Sequence, residues 1–199
     1  MKKELLHLCP IISAAAILTG CATAPPRPSH GAAGFRPESM DIVYVMPVVD
    51  SRMDKKLTRD LDKLQRWASK NLKSKHYTVK EVADRNCLAG LTGEDLREAA
   101  PDWIKAFGPS EARWLLIIEV DELVRKLTFG STGQAEVALV VLDKQRGTVV
   151  WRDKALGRQG QGGLLGMLMV SMLDEAALEE AMNQLMLKFP KKPKSVTST

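Results

Sequence analysis

The chain is poor in the residues that build metal centres and disulfide scaffolds: it has three cysteines and three histidines among 199 residues. Cys9 and Cys21 lie in an amino-terminal stretch of its own character, so Cys87 is the lone cysteine of the remainder. An intramolecular disulfide is excluded there, and a lone thiol packs most readily as a small buried hydrophobe. His7 and His30 also precede the periodic part of the chain, which leaves His76 as its one imidazole. One ring cannot build a multi-histidine metal site, and any histidine-based triad would have to use it. Gly-Lys-Ser/Thr is missing, which excludes a P-loop, and there are no internal repeats. Gly160-Gln161-Gly162-Gly163-Leu164-Leu165 places leucine where the dinucleotide fingerprint needs its third glycine. These absences leave no cofactor, no metal and no catalytic residue to assign, and the expectation is a protein that is not an enzyme.

Residues 5–18 are apolar but broken by His7, Pro10 and Ser13. That run is too short to span a bilayer, which takes about 20 apolar residues. Lys2 and Lys3 precede it and Leu18-Thr19-Gly20-Cys21 closes it. This order is that of a targeting segment, and its end matches the lipobox of bacterial lipoproteins: an aliphatic residue, two small residues, then cysteine. Small residues let the extended backbone enter the peptidase, and only a thiol can form a thioether to diacylglycerol. Cleavage is therefore expected between Gly20 and Cys21, with Cys21 lipidated; the alternative is an ordinary secretory signal cut near Ala22 or Ala24. Each buried CH₂ adds about 0.8 kcal/mol, so more than one acyl chain makes anchoring stable. Similarity to Gram-negative lipoproteins implies more: Ala22 after the cysteine, rather than aspartate, implies sorting to the outer membrane on its periplasmic side.

The formal charge is +5, and beyond residue 20 the chain carries 27 basic and 23 acidic side chains. A mild excess of this kind suits an anionic lipid surface. An exported address argues against nucleic acid as a partner. Much of the surplus sits in Lys188, Lys191, Lys192 and Lys194, which reads as a solvated carboxy-terminal tail.

From residue 22 to 37 the chain turns to Pro25, Pro26, Pro28, Gly31 and Gly34 without periodicity, a tether of roughly 20 to 24 Å if flexible. Ile42-Val43-Tyr44-Val45-Met46 is a near-continuous apolar run, as in a strand covered on both faces. Leu57, Leu61, Leu64, Ala68 and Leu72 then recur at helical spacing opposite Lys55, Arg59, Asp62 and Lys63. Residues 77–82 read as a second strand, parallel to the first through a right-handed crossover. Thr92 with Asp95 forms a capping box for a helix carrying Leu96, Ala99, Trp103, Ile104 and Phe107, and Pro101 kinks it or starts a second short helix. Trp114-Leu115-Leu116-Ile117-Ile118 belongs in the centre of the sheet and continues as an edge through Leu123, Arg125 and Leu127. Gly130 and Gly133 mark a turn, residues 135–142 form a strand, and Asp143-Lys144-Gln145-Arg146-Gly147 reverses the chain into residues 148–151. Gly157, Gly160, Gly162, Gly163 and Gly166 read as a flexible turn that swings the last helix, with its stripe Leu178, Met182, Leu185, Met186 and Phe189, onto the sheet.

The expected fold is thus α/β: a single mixed β-sheet, βαβα followed by an antiparallel meander and a C-terminal helix, with helices packed on the sheet. Its organisation is a signal peptide at 1–20, a lipidated cysteine and Pro/Gly-rich tether at 21–40, an α/β domain at 41–189 and a basic disordered tail at 190–199.

Two places stand out for function. Asp50, Ser51 and Arg52 lie at the carboxyl end of the first strand, where open α/β sheets place ligands, and a phosphate or carboxylate could sit near Arg52. The alternative is that Asp50 or Asp54 caps the next helix while Arg52 pairs with a neighbour. Residues 164–173 are apolar apart from Gly166 and Ser171, more than a surface helix needs to hide in one stripe. Leu164, Leu165, Met167, Leu168, Met169 and Met172 therefore suggest an interface for self-association or an envelope partner, with complete burial beneath the sheet as the competing reading.

This order of elements behind a lipobox and a proline-rich tether resembles a broad group of bacterial envelope lipoproteins that includes the curli-secretion lipoprotein CsgG and the penicillin-binding-protein activator LpoB. The resemblance runs through Val48-Val49-Asp50-Ser51-Arg52 after the first strand and through Asp143, Gly147 and Trp151 in the hairpin. It implies a domain for oligomerisation or for binding another envelope protein, with no catalytic residue to carry over. The membrane-inserting hairpins of CsgG have no match. The function expected is that of a non-enzymatic accessory or assembly factor anchored by lipid in the cell envelope; a small-ligand-binding or hydrolytic domain using Asp50-Ser51-Arg52 is the alternative.

Overall fold

The computed structural model describes residues 30–32, 35–52, 58–88, 91–128, 130–162 and 170–193. The signal segment, Cys21, most of the tether, Leu57, and Leu164, Leu165, Met167, Leu168 and Met169 of the expected interface lie outside them.

The strands are β1 (His30–Gly31), β2 (Ile42–Val45), β3 (Val49–Asp50), β4 (Thr78–Glu81), β5 (Trp114–Thr128), β6 (Gly130–Asp143) and β7 (Thr148–Gly162). The helices are α1 (Thr58–Ser74), α2 (Gly93–Arg97), α3 (Pro101–Ala106) and α4 (Val170–Lys188). All seven strands form one mixed sheet in the order β1-β7-β6-β5-β2-β4, with β3 also on β5. β2 is parallel to both β4 and β5, whereas β5, β6 and β7 are an antiparallel meander. The mixed sheet, its βαβα opening and the C-terminal helix are as the residue pattern predicts.

Apolar side chains on both faces of β2 and β5 explain why both faces are covered. Val43, Val45, Trp114, Leu116 and Ile118 pack under α1 and α4, against Leu64, Leu72, Met182 and Leu185. Tyr44, Met46, Leu115 and Ile117 pack on the other face under α2 and α3, against Leu96, Ile104 and Phe107. Each large side chain buried this way contributes about 1.5–3 kcal/mol. The Thr92 hydroxyl accepts from the Asp95 amide and Asp95 closes the reciprocal bond to the Thr92 amide, so α2 starts where the capping box places it. β2 and β3 follow one line along β5 with an extra residue between them: Val45 faces Leu116 while Val49 faces Glu119. Pro47, which has no N–H to give a ladder, sits in that irregularity. The chain thereby delivers Asp50 and Ser51 alongside the middle of β5.

The glycines are where pattern and structure part. Gly133 does not mark a turn but lies inside β6, opposite Arg125 and Gln159. Gly157, Gly160 and Gly162 belong to β7, which runs well past residue 151. Two of them are seats for α4. A Cβ on Gly133 would lie 2.7 Å from the Leu173 carbonyl oxygen, and one on Gly157 would lie 1.8 Å from the Ala177 carbonyl oxygen. The helix backbone rests directly on the strands, with Ala177 and Ala181 as its own small residues there.

The first and last of the described residues tie into this frame. His30 and Gly31 pair with Arg152 and Trp151, and Met40 is fully buried, so these residues of the 21–40 segment are part of the folded unit. Phe189 lies edge-on to Trp151 at 5.0 Å and to Tyr77 at 5.7 Å. Past it, the Tyr77 hydroxyl donates to the Pro190 carbonyl at 3.1 Å and Lys192 Nζ to the Met40 carbonyl at 2.6 Å. Burial, with Glu38 nearby, holds the Tyr77 phenol above its usual range, as a neutral donor.

Gly157→Ala is expected to lower stability by about 3 kcal/mol, because backbone meets the new methyl group. Gly160→Ala, whose Cβ would meet nothing closer than 3.6 Å, is expected to do far less. Urea denaturation of the two variants checks the difference.

Candidate functional site

The irregularity after β2 brings Asp50, Ser51 and Arg52 together at the sheet in a closed arrangement. Arg52 folds back on Asp50 through Nε to Oδ1 at 2.6 Å and Nη2 to Oδ2 at 2.7 Å, and its amide also donates to Oδ1 at 3.2 Å. Both side chains are nearly buried, at 7% and 12% exposure. This is a bidentate charge-assisted pair, the strongest hydrogen-bonding geometry open to these residues. Asp50 thus binds its own neighbour Arg52, in keeping with the alternative weighed for the arginine.

Ser51 donates from Oγ to Oε1 of Glu119 at 3.0 Å. Glu119 is fully buried on β5, and the pattern of the chain gave it no role, since it is one polar residue inside an apolar run. The sheet register sets Ala138 and then Lys154 beside it. The Lys154 ammonium bonds to Asp121 and, at 2.7 Å, to Oε1 of Glu136. Burial alone would lower the Lys154 pKa, but Asp121 and Glu136 override it and hold the group above its ordinary value. The carboxyl end of β3 therefore opens onto a patch of interlocked charges across β5, β6 and β7.

A Ser51 hydroxyl bonded to a carboxylate lacks the imidazole of a serine triad. The His76 ring is elsewhere and exposed, and His76 itself ends α1. Its φ is +72°, its amide donates to Lys73, and the Tyr77 amide donates to Leu72, the two bonds of a Schellman motif. Cys87 is half-buried, and its thiol donates to the Asp84 carbonyl at 2.9 Å. Burial, then the charge of Asp84, raises its pKa, which keeps it a thiol and a weak nucleophile. It borders an open groove of about 560 Å³ with Leu91, Glu94, Glu98, Trp103 and Phe107. Among the described residues no group of three His, Cys, Asp or Glu is placed to hold a metal. No described helix is long and apolar enough to cross a membrane. Of the expected interface residues, Met172 is described and is 63% exposed on the first turns of α4, beside the buried Leu173.

Arg52→Ala is expected to destabilise the domain by about 3 kcal/mol, because it strands a buried carboxylate. His76→Gly is expected to add about 0.5–1 kcal/mol by relieving a left-handed residue that carries a Cβ. Thermal and urea melts of both variants measure these effects.

No family model and no curated protein matches the chain. Among solved structures it is similar to a dodecameric PelC variant from Paraburkholderia phytofirmans, at 16% identity over 83% of this chain and 98% of that one, with a TM-score of 0.48. It is similar to lipoprotein GNA1162 from Neisseria meningitidis, at 18% identity over 69% of this chain and 98% of that one, with a TM-score of 0.47. A minor lipoprotein from Acinetobacter baumannii is similar at 12% identity over 79% and 99% of the two chains, with a TM-score of 0.44. None of the three is the curli-secretion lipoprotein or the penicillin-binding-protein activator of the sequence resemblance. Likenesses this shallow bring no activity or partner to this chain.

Proposed function

We propose that this protein is a cell-envelope lipoprotein, anchored by acyl chains on Cys21, whose α/β domain binds other envelope proteins or a second copy of itself without chemistry of its own. The observation that carries the reading is Leu18-Thr19-Gly20-Cys21 behind an apolar segment and two lysines. Ala22 supports the outer membrane, periplasmic side, as its place. The finer proposal, an accessory domain of the CsgG and LpoB kind, is supported by Asp143, Gly147 and Trp151 at the hairpin and by the cluster at residues 48–52.

The meander supports association. Among the described residues, β5 beyond Val120 pairs with β6 alone, and β7 beyond Arg152 also pairs with β6 alone. On β7 the side chains of α4 already meet part of that flank, Glu180 accepting from the Arg158 amide at 3.1 Å and Gln184 donating to the Leu156 carbonyl at 3.5 Å, so among the described residues the β5 flank beyond Val120 is the edge that suits another strand. Met172 stands exposed at the start of α4, next to the apolar residues 164–169. The ligand-binding or hydrolytic reading of Asp50, Ser51 and Arg52 has less support, since the guanidinium is buried and engaged.

Cys21→Ser is expected to release the protein from membranes, checked by fractionation and by intact mass; a wild type already soluble and without acyl chains would contradict the anchor. Met172→Asp is expected to keep the fold and weaken self-association or partner capture, and an unchanged assembly would remove this face from the reading.

A further inference from the structure

A second cavity lies away from the Asp50 corner, between the amino-terminal segment, the start of β5 and the β6–β7 turn. Its volume is about 390 Å³, in the range that holds small ligands. Phe35, Trp114 and Val150 give it apolar walls, and Arg36, Arg113 and Arg146 bring three guanidinium groups to it. No acidic side chain lines it among the described residues.

Among the described residues Asp143 is the one carboxylate paired with these arginines, and it is fully buried behind them. Arg113 reaches it at 3.3 and 3.4 Å, and Arg146 at 3.7 Å. Most of its acceptor capacity is already used by the turn, through the amides of Gln145 at 3.0 Å and Arg146 at 3.3 Å. Arg36 has no ion-pair partner among the described residues, so two positive charges stay uncompensated around the cavity. Arg113 is further held over the Trp114 ring at 4.5 Å, which fixes the plane of its fork. Each guanidinium has five donors, and those Asp143 does not take remain free for an anion.

The geometry points to a binding site for a phosphoryl group, carried by a free phosphate ligand or by an anionic lipid headgroup. A phosphate monoester carries about −1.5 to −2 at neutral pH and matches the surplus in full, whereas the phosphodiester of a lipid headgroup carries a single charge and offsets part of it. Arginine forks suit its oxygens bidentately. The stretch from Cys21 to His30 spans at most about 30 Å, so an acylated Cys21 keeps the cavity near headgroups. The site itself does not depend on acylation.

The test uses the mature protein in non-ionic detergent micelles, titrated with inorganic phosphate and, separately, with phosphatidylglycerol or phosphatidylcholine added to the micelles. Calorimetry and tryptophan fluorescence follow binding. Saturable binding is expected, weakened about tenfold or more in the double variant Arg36→Gln with Arg146→Gln. Both residues are exposed, and an unchanged melting curve confirms that the variant folds. Arg113→Lys, which keeps a charge near Asp143 and loses the fork, is expected to weaken binding less. Tighter binding of phosphatidylglycerol than of inorganic phosphate assigns the site to a headgroup; binding of inorganic phosphate with no gain from lipid assigns it to a free phosphate ligand. No saturable binding of either, equal response to phosphatidylcholine, or an unchanged double variant overturns the proposal.

Discussion

The architecture depends on how closely α4 approaches the meander. With no Cβ at Gly133 and Gly157, the helix backbone lies on the strands themselves, and Ala177 and Ala181 keep its side of the contact thin. That contact lets Leu178, Met182, Leu185 and Phe189 reach into the same core as Trp114 and Trp151. With α4 in this position, Phe189 wedges between Tyr77 and Trp151, and the residues after it latch onto Lys75 and Met40. One close approach therefore ties the carboxy-terminal helix, the parallel half of the sheet and the amino-terminal segment into a single unit.

Much of this was legible in the residues, and the parts that were not share a cause. Central β5 announces itself because Trp114 to Ile118 has no polar alternation, and α1 because Leu61, Leu64, Ala68 and Leu72 keep helical spacing. The capping box of Thr92 and Asp95 works through neighbours in sequence, so it reads directly. Gly133 and Gly157 misled because a glycine under a crossing helix looks, in one dimension, like a glycine in a turn. β7 looks shorter in sequence than it is because Gly157, Gly160 and Gly162 with Gln159 and Gln161 lack β-forming side chains; register with β6, not propensity, makes them a strand.

The candidate site shows the same divide. Asp50, Ser51 and Arg52 are consecutive and easily singled out, but whether such a trio is open or closed depends on rotamers and on a partner 68 residues away, Glu119. The arginine cavity was invisible because Arg36, Arg113 and Arg146 come from three distant segments, each unremarkable alone. Asp143, noted for its resemblance to a hairpin signature, has a physical role at the same point: it caps its turn and holds two of those arginines, while Gly147 passes Pro101 at a distance that no Cβ would allow.

On the proposed function this domain is a surface for other proteins: the charges at the Asp50 corner are paired with one another, and exposed apolar and edge positions lie near the start of α4 and along β5. Site-specific photo-crosslinking in intact cells, from Met172 on α4 and from the exposed Glu122 on the edge of β5, tests that claim most directly, with mass spectrometry of the captured species. Discrete crosslinks to another envelope protein or to a second copy of this chain are expected, lost when the same probe is placed at the buried Leu116. Absence of any protein crosslink from both exposed positions, in cells where the protein is abundant and membrane-bound, would contradict the claim.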